Sequence, residues 1–173
     1  MRPGPRFVGI PRPPRTRGFG GRWDLSTYRE VRDVFERAEA AAQEDGTSVT
    51  ADHLLLGVLR AADSSGATVM SGLGIGEADI GRGAAQPGGR SRSRWGPELQ
   101  PIIQSAAEEA WQLGSRLTRS AHVLLGIAAS GQGTLARLLA SHGVSLDVLR
   151  GRAREAIAAK LRPLLGTQKD RRW

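Results

Sequence analysis

The chain repeats itself. Displaced by 69 positions, His53-Leu54-Leu55-Leu56-Gly57-Val58 falls on His122-Val123-Leu124-Leu125-Gly126-Ile127. The same displacement carries Ala67 onto Ala136, Val69 and Met70 onto Leu138 and Leu139, Gly74 onto Gly143, and Ile75 onto Val144. Upstream, a displacement of 68 places Val31, Val34, Phe35, Ala38, Ala42 and Gly46 on Leu99, Ile102, Ile103, Ala106, Ala110 and Gly114. One residue of slack between helices accounts for the difference. Such a duplication restricts the fold sharply, because both halves must be units of one kind. A unit of roughly 55 residues is marginal alone, so the two copies are expected to share a core.

Both copies have helical periodicity. Apolar residues at i, i+3, i+4 and i+7 predict a first helix over about 27–45 and again over 97–113. Gly46 and Gly114 stop it as C′ glycines, and Pro97 and Pro101 stand where a first turn tolerates proline. A second helix is expected over about 51–62 and 120–130, with Thr50 and Ser120 as N-caps. A third covers about 65–72 and 132–141. A fourth begins near Gly76 and Ser145, the second copy running on to about Leu165. No strand-like alternation persists. The expected fold is therefore all-α, two four-helix repeats related by an approximate two-fold axis.

Charge divides the chain along the same lines. Residues 1–22, rich in Pro, Arg and Gly, carry +6 and read as a disordered arm. The first repeat is assigned to 23–81, a flexible linker to 82–95, the second repeat to 96–165 and a basic tail to 166–173. Residues 23–80 carry −7, residues 81–95 carry +4, residues 96–151 balance, and residues 152–173 carry +5. The basic character thus belongs to arm, linker and tail, which argues against a basic nucleic-acid-binding face on the folded part. There is no cysteine, which excludes disulfides and thiolate metal sites and suits a cytoplasmic protein. No apolar run approaches the ~18 residues of a membrane span, and the basic N-terminus lacks the apolar stretch of a secretory signal.

The paired His-Leu-Leu-Leu-Gly-Val and His-Val-Leu-Leu-Gly-Ile segments each follow an amphipathic helix. Each precedes a short Ala/Leu-rich helix and then Gly74-Ile75-Gly76 or Gly143-Val144-Ser145-Leu146-Asp147. Over about residues 26–156 this resembles the double repeat of Clp N-terminal domains, especially those of ClpC-type AAA+ unfoldases. The second copy, with Glu109-Ala110-Trp111-Gln112-Leu113-Gly114 and Leu138 through Leu149, is the more similar. The resemblance implies a non-enzymatic domain that recognises substrates and adaptor proteins. In the ClpC branch it also implies binding of arginine-phosphorylated proteins and of cyclic-peptide antibiotics. Each family repeat offers a phosphoarginine pocket, in which a glutamate before the repeat histidine holds the guanidinium and a threonine near the start of the first helix helps hold the phosphate.

Carried over by position, Asp52 stands for that glutamate in the first repeat, and Thr27 or Tyr28 for the threonine, with Thr50 close by. In the second repeat Ala121 and Gly96 occupy those places, and Arg119 would repel a guanidinium. Any arginine-like ligand is thus expected beside Asp52 and not beside Ala121. A Walker A loop is absent, the only lysines being Lys160 and Lys169, so the chain reads as an N-domain standing alone, without the ATPase.

Most other notable residues have local explanations. His53 and His122 are expected to bond within the first turn of their helices, since no cluster has metal-ligand spacing and no cofactor is implied. His142 reads as a helix-end cap beside Gly143. Asp52 is read either as a ligand carboxylate or as a negative charge favoured at a helix N-terminus. The acidic run Glu30, Asp33, Glu36, Glu39, Glu44 and Asp45 reads as a solvated face. Trp95 and Trp111 are expected to be packing anchors. Ser71, Ser105 and Ser141 lack any histidine or acid at a spacing that suggests a nucleophile. The main alternative to a recognition module is a nucleic-acid-associated protein acting through its Arg-rich tails.

Overall fold

The structure, a computed structural model, describes residues 29–80, 95–131 and 133–166, with side chains to residue 162. Seven helices account for most of it: α1 Arg29–Glu44, α2 Ala51–Arg60, α3 Ser65–Gly72, α4 Leu99–Gln112, α5 Ser120–Ala129, α6 Gly133–Ser141 and α7 Leu146–Gly166. A 3-10 turn, Glu77–Ile80, follows α3. Among the described residues no strand forms; an isolated bridge joins Val49 to Trp95. The fold is all-α, and each predicted helix through the third of each copy is present.

The first and second helices of each repeat form a tight antiparallel pair. Val31, Val34, Ala38 and Ala42 on α1 meet Leu54, Leu55 and Val58 on α2, and all are buried. Leu99, Ile102, Ala106 and Ala110 on α4 meet Leu124, Leu125 and Ile127 on α5 in the same way. The glycine of the repeated motif makes this approach possible. A Cβ at Gly57 would lie 2.3 Å from the Val34 carbonyl oxygen, and one at Gly126 would lie 2.4 Å from that of Ile102. Both obstacles are backbone, so no rotamer change relieves them.

The first helix stops where the sequence predicts. Gly46 and Gly114 take φ of 65° and 69°, and the next amide reaches back to the helix, Thr47 N to Ala42 O at 2.9 Å and Ser115 N to Ala110 O at 2.8 Å. These bonds satisfy carbonyls that the helix end leaves free.

The halves exchange helices at their junction, α3 packing on α5 and α6 on α2, as a two-fold relation requires. The fourth elements differ. In the first copy the described part is only the 3-10 turn, with Asp79 accepting from the Gly76 amide at 2.8 Å. In the second copy α7 runs back across α3. Its Arg152 donates to the Gly72 carbonyl at 3.3 Å, and Lys160 donates to that of Asp63. Bidentate Arg150 pins α7 to buried Glu109 of α4 at 2.6 and 2.9 Å. That bond raises the Arg150 pKa.

Trp95, placed by sequence at the end of the linker, belongs to the folded body. Its ring meets Phe35 edge-on at 5.5 Å, and the Gly96 amide donates to Val49 O at 2.8 Å. Trp111 is not the expected anchor: it is 45% exposed, one position beyond the stripe that α4 buries through Ala106 and Ala110. The arm at 1–22, linker residues 82–94 and the tail from 167 lie outside the described residues. No single described helix is long and apolar enough to cross a membrane.

Candidate functional site: two clefts where helix N-termini meet

The exchange of helices brings N-termini together in two places. One cleft lies between α2 and α6, the other between α5 and α3. A helix N-terminus presents unbonded N–H groups and the positive end of the helix dipole, so two of them converging favour an anion between them. Among the described residues each place holds one carboxylate, but from non-equivalent positions.

In the first cleft the carboxylate is Asp52, in the first turn of α2. It accepts from the Thr134 amide at 3.0 Å and from the Thr134 hydroxyl at 3.0 Å, capping α6 of the other repeat. Arg137, exposed one turn further along α6, donates to Thr134 Oγ1 at 3.2 Å. Asp52 remains partly exposed. Thr50 is the N-cap of α2 as expected, and its hydroxyl lies 2.8 Å from His53 Nδ1. Thr27 and Tyr28, carried over as partners for a phosphate, lie outside the described residues.

In the second cleft Ala121 stands where Asp52 stands in the first, and Glu30 enters from α1. Its carboxylate accepts from the Ser65 amide at 2.7 Å, the Ser65 hydroxyl at 2.9 Å, the Ser120 hydroxyl at 2.6 Å and the Arg119 guanidinium at 3.3 Å. The two serines also cap each other's helices: Gly66 N donates to Ser120 Oγ at 2.7 Å and Ala121 N to Ser65 Oγ at 3.2 Å. Ser65 and Ser120 are wholly buried, and the Glu30 and Arg119 side chains are 9% and 6% exposed. Burial by itself would raise the Glu30 pKa. Hydrogen bonds from Ser120 and Ser65, with the charge of Arg119, outweigh it and hold the carboxyl below its ordinary value.

Three sequence expectations are corrected here. Glu30 is not part of a solvated face; it is the centre of a buried network. Ser120 is not an N-cap but the first residue of α5, and Arg119 takes the cap position. The second cleft does not lack a carboxylate, because α1 supplies one where Ala121 cannot. Its partners Ser65 and Ser120 are 35 and 90 residues away along the chain, so periodicity within α1 carries no trace of them. The displacement of 69, which lays Arg119 on Thr50, was the available signal for the cap.

The two repeat histidines bond locally as expected. His53 Nδ1 accepts from the Thr50 amide at 3.0 Å and His122 Nδ1 from that of Arg119 at 2.9 Å. Nε2 therefore carries the proton in each neutral ring. His53 Nε2 meets Asp45 at 3.1 Å, whereas Leu113 occupies the corresponding place in the second repeat and buried His122 Nε2 has no partner among the described residues. Burial, reinforced by the Arg119 charge, lowers the His122 pKa to about 4. His142 Nδ1 reaches the Leu138 carbonyl at 2.9 Å, in keeping with its expected capping role. No group of three or more potential metal ligands occurs among the described residues.

Comparison with known proteins agrees with this architecture. The model of the Clp repeat (R) N-terminal domain family matches residues 94–167. The negative regulator of genetic competence ClpC/MecB of Bacillus subtilis is 30% identical over 128 residues, which are 66% of this chain and 16% of that protein. ClpC of Staphylococcus epidermidis, an ATP-dependent Clp protease ATP-binding subunit, is 26% identical over 135 residues, 73% of this chain and 16% of that protein. The chain thus spans about a sixth of these relatives. Among solved structures, the N-terminal domain of the chaperone ClpD from Arabidopsis thaliana superposes with a TM-score of 0.55 at 14% identity, covering 81% of this chain and 99% of that one. The second half of the chain, residues 94–167, thus matches the Clp repeat, and the described helices take the all-α fold of a Clp N-terminal domain.

Proposed function

We propose that this chain is a non-enzymatic recognition module of the Clp proteolytic system, which holds adaptor proteins or substrate segments where its two repeats meet. The coarse reading is supported by similarity to ATP-dependent Clp protease subunits. Bound cargo could then be delivered to an unfoldase, or withheld from it.

The observation that carries the finer reading is the partly exposed Asp52 carboxylate between α2 and α6. A carboxylate has about four lone-pair directions, and Thr134 uses two. The others suit the planar fork of a guanidinium. Exposed Arg137 and the N-terminus of α6 border the same cleft and would favour a phosphate. Phosphoarginine presents both groups, and Asp52 with Arg137 is the pair that would hold it. Thr50 acts indirectly, by capping α2 and fixing its first turn.

Calorimetric titration with a phosphoarginine peptide and its unmodified counterpart tests this. One site per chain is expected. Asp52→Ala should weaken it tenfold or more, the cost of a charge-assisted pair of about 1.5–3 kcal/mol. Unchanged affinity in the variant refutes the assignment to Asp52. No binding to the parent refutes the phosphoarginine reading. Equal binding of both peptides reduces it to peptide recognition without regard to phosphate.

A further inference from the structure

The two clefts are built alike but stand in different states. The first has a partly exposed carboxylate and an exposed arginine. The second converges two helix N-termini, two buried hydroxyls and a buried guanidinium on one point, and a carboxylate already sits there. Every one of those groups donates a hydrogen bond or bears positive charge, so the point is an oxyanion site by construction. Its occupant comes from α1, which is not one of the two helices that form the cleft. The repeat-related residue Glu98 does not do the same at the first cleft; it folds back over Gly96 at the start of α4.

We propose that Glu30 is an intramolecular ligand that closes an oxyanion-binding site between α3 and α5. The site has the chemistry for a carboxylate or a phosphate. Glu30 reaches it from the first turn of α1 and so competes at the high effective concentration of a tethered group. An external oxyanion has no comparable advantage, and Arg119 stays matched to Glu30 in its absence. This inference does not depend on which ligand Asp52 takes.

Glu30→Ala empties the site without touching the groups that line it. Inorganic phosphate is the probe, read by thermal unfolding and by calorimetry at constant ionic strength. The expected result is a saturable rise of several degrees in the unfolding midpoint of Glu30→Ala that exceeds any rise in the parent. It should vanish in the Glu30→Ala/Arg119→Ala double variant. Should Glu30→Ala be unfolded in chloride, phosphate should restore its helical dichroism. A phosphate response no larger than the parent's, or failure to restore an unfolded variant, would overturn the proposal and leave Glu30 a helix cap. A response that survives removal of Arg119 would also overturn it, by placing the anion elsewhere.

Discussion

Lowering the pH from 7 to 5 should destabilise this domain through a single side chain, His122. The ring is fully buried, its Nδ1 is taken by the Arg119 amide, and among the described residues its Nε2 faces no acceptor. Burial and the charge of Arg119 disfavour the imidazolium; Glu30 and Glu109 oppose them only in part, and the folded pKa falls from 6.5 to about 4. Between those values the unfolded chain binds the proton and the folded chain does not. The stability that this contributes is complete above the unfolded pKa and is lost as pH falls toward the folded one. The full difference is about 3 kcal/mol, and roughly 2 kcal/mol of it is lost between pH 7 and pH 5. With a urea dependence of about 2 kcal/mol per molar, the midpoint should fall by about 1 M. His122→Asn, whose amide oxygen can still accept from Arg119, should lack this component. Titrations that both proteins share cancel in the comparison. A parent midpoint that moves no more than the variant's would refute the reasoning.

Other perturbations have equally definite signs. Glu30 should stabilise the parent over Glu30→Gln fully above its unfolded pKa of about 4.5, the advantage disappearing as pH falls through its lowered folded value; denaturation at pH 7 and pH 3 measures it. Gly126→Ala should cost about 1–3 kcal/mol despite alanine's better helix propensity, because the new methyl meets backbone; a lower thermal midpoint checks this. Arg150→Ala should cost about 2 kcal/mol or more, since it strands a buried carboxylate, whereas Glu109→Ala should cost less because Arg150 keeps Asp147 and access to solvent. Urea midpoints of the two single variants and the double variant separate these effects.

Legibility followed distance along the chain. The helix spans were readable because each rests on contacts within one turn and on a second copy that repeats them. A first helix expected over 27–45 is found at Arg29–Glu44, and a third expected over 132–141 at Gly133–Ser141. The glycine stops at 46 and 114 were equally local. The clefts were not legible, because they form only when α3 and α6 cross to the opposite repeat. Asp52 could be read as a charge near a helix N-terminus, but the helix that it caps is α6, 82 residues away. Glu30 was hidden by its neighbours: Asp33, Glu36 and Glu39 follow it along α1, and the run as a whole looks like a solvated face. Trp111 misled for the opposite reason, since its residue type suggests burial while its place on α4 faces away from the core.

The asymmetry of the clefts bears on how a duplicated domain can give up one site and keep its fold. Where two helix N-termini converge, an anion is a structural requirement before it is a recognition device. In the first cleft one residue, Asp52, meets that requirement and is also the group that the proposed ligand would contact, so stability and binding there cannot vary independently. In the second cleft the requirement has passed to Glu30. Position 121 is then free to be alanine, and position 119 to be an arginine that would be repelled by the N-termini if Glu30 were absent. Arg119 thus depends on Glu30. Alone it leaves a charge buried against helix N-termini of its own sign, whereas the pair is neutral, hydrogen-bonded and sealed. A fold built by duplication can in this way specialise one cleft for structure and leave the other for binding, without moving a helix.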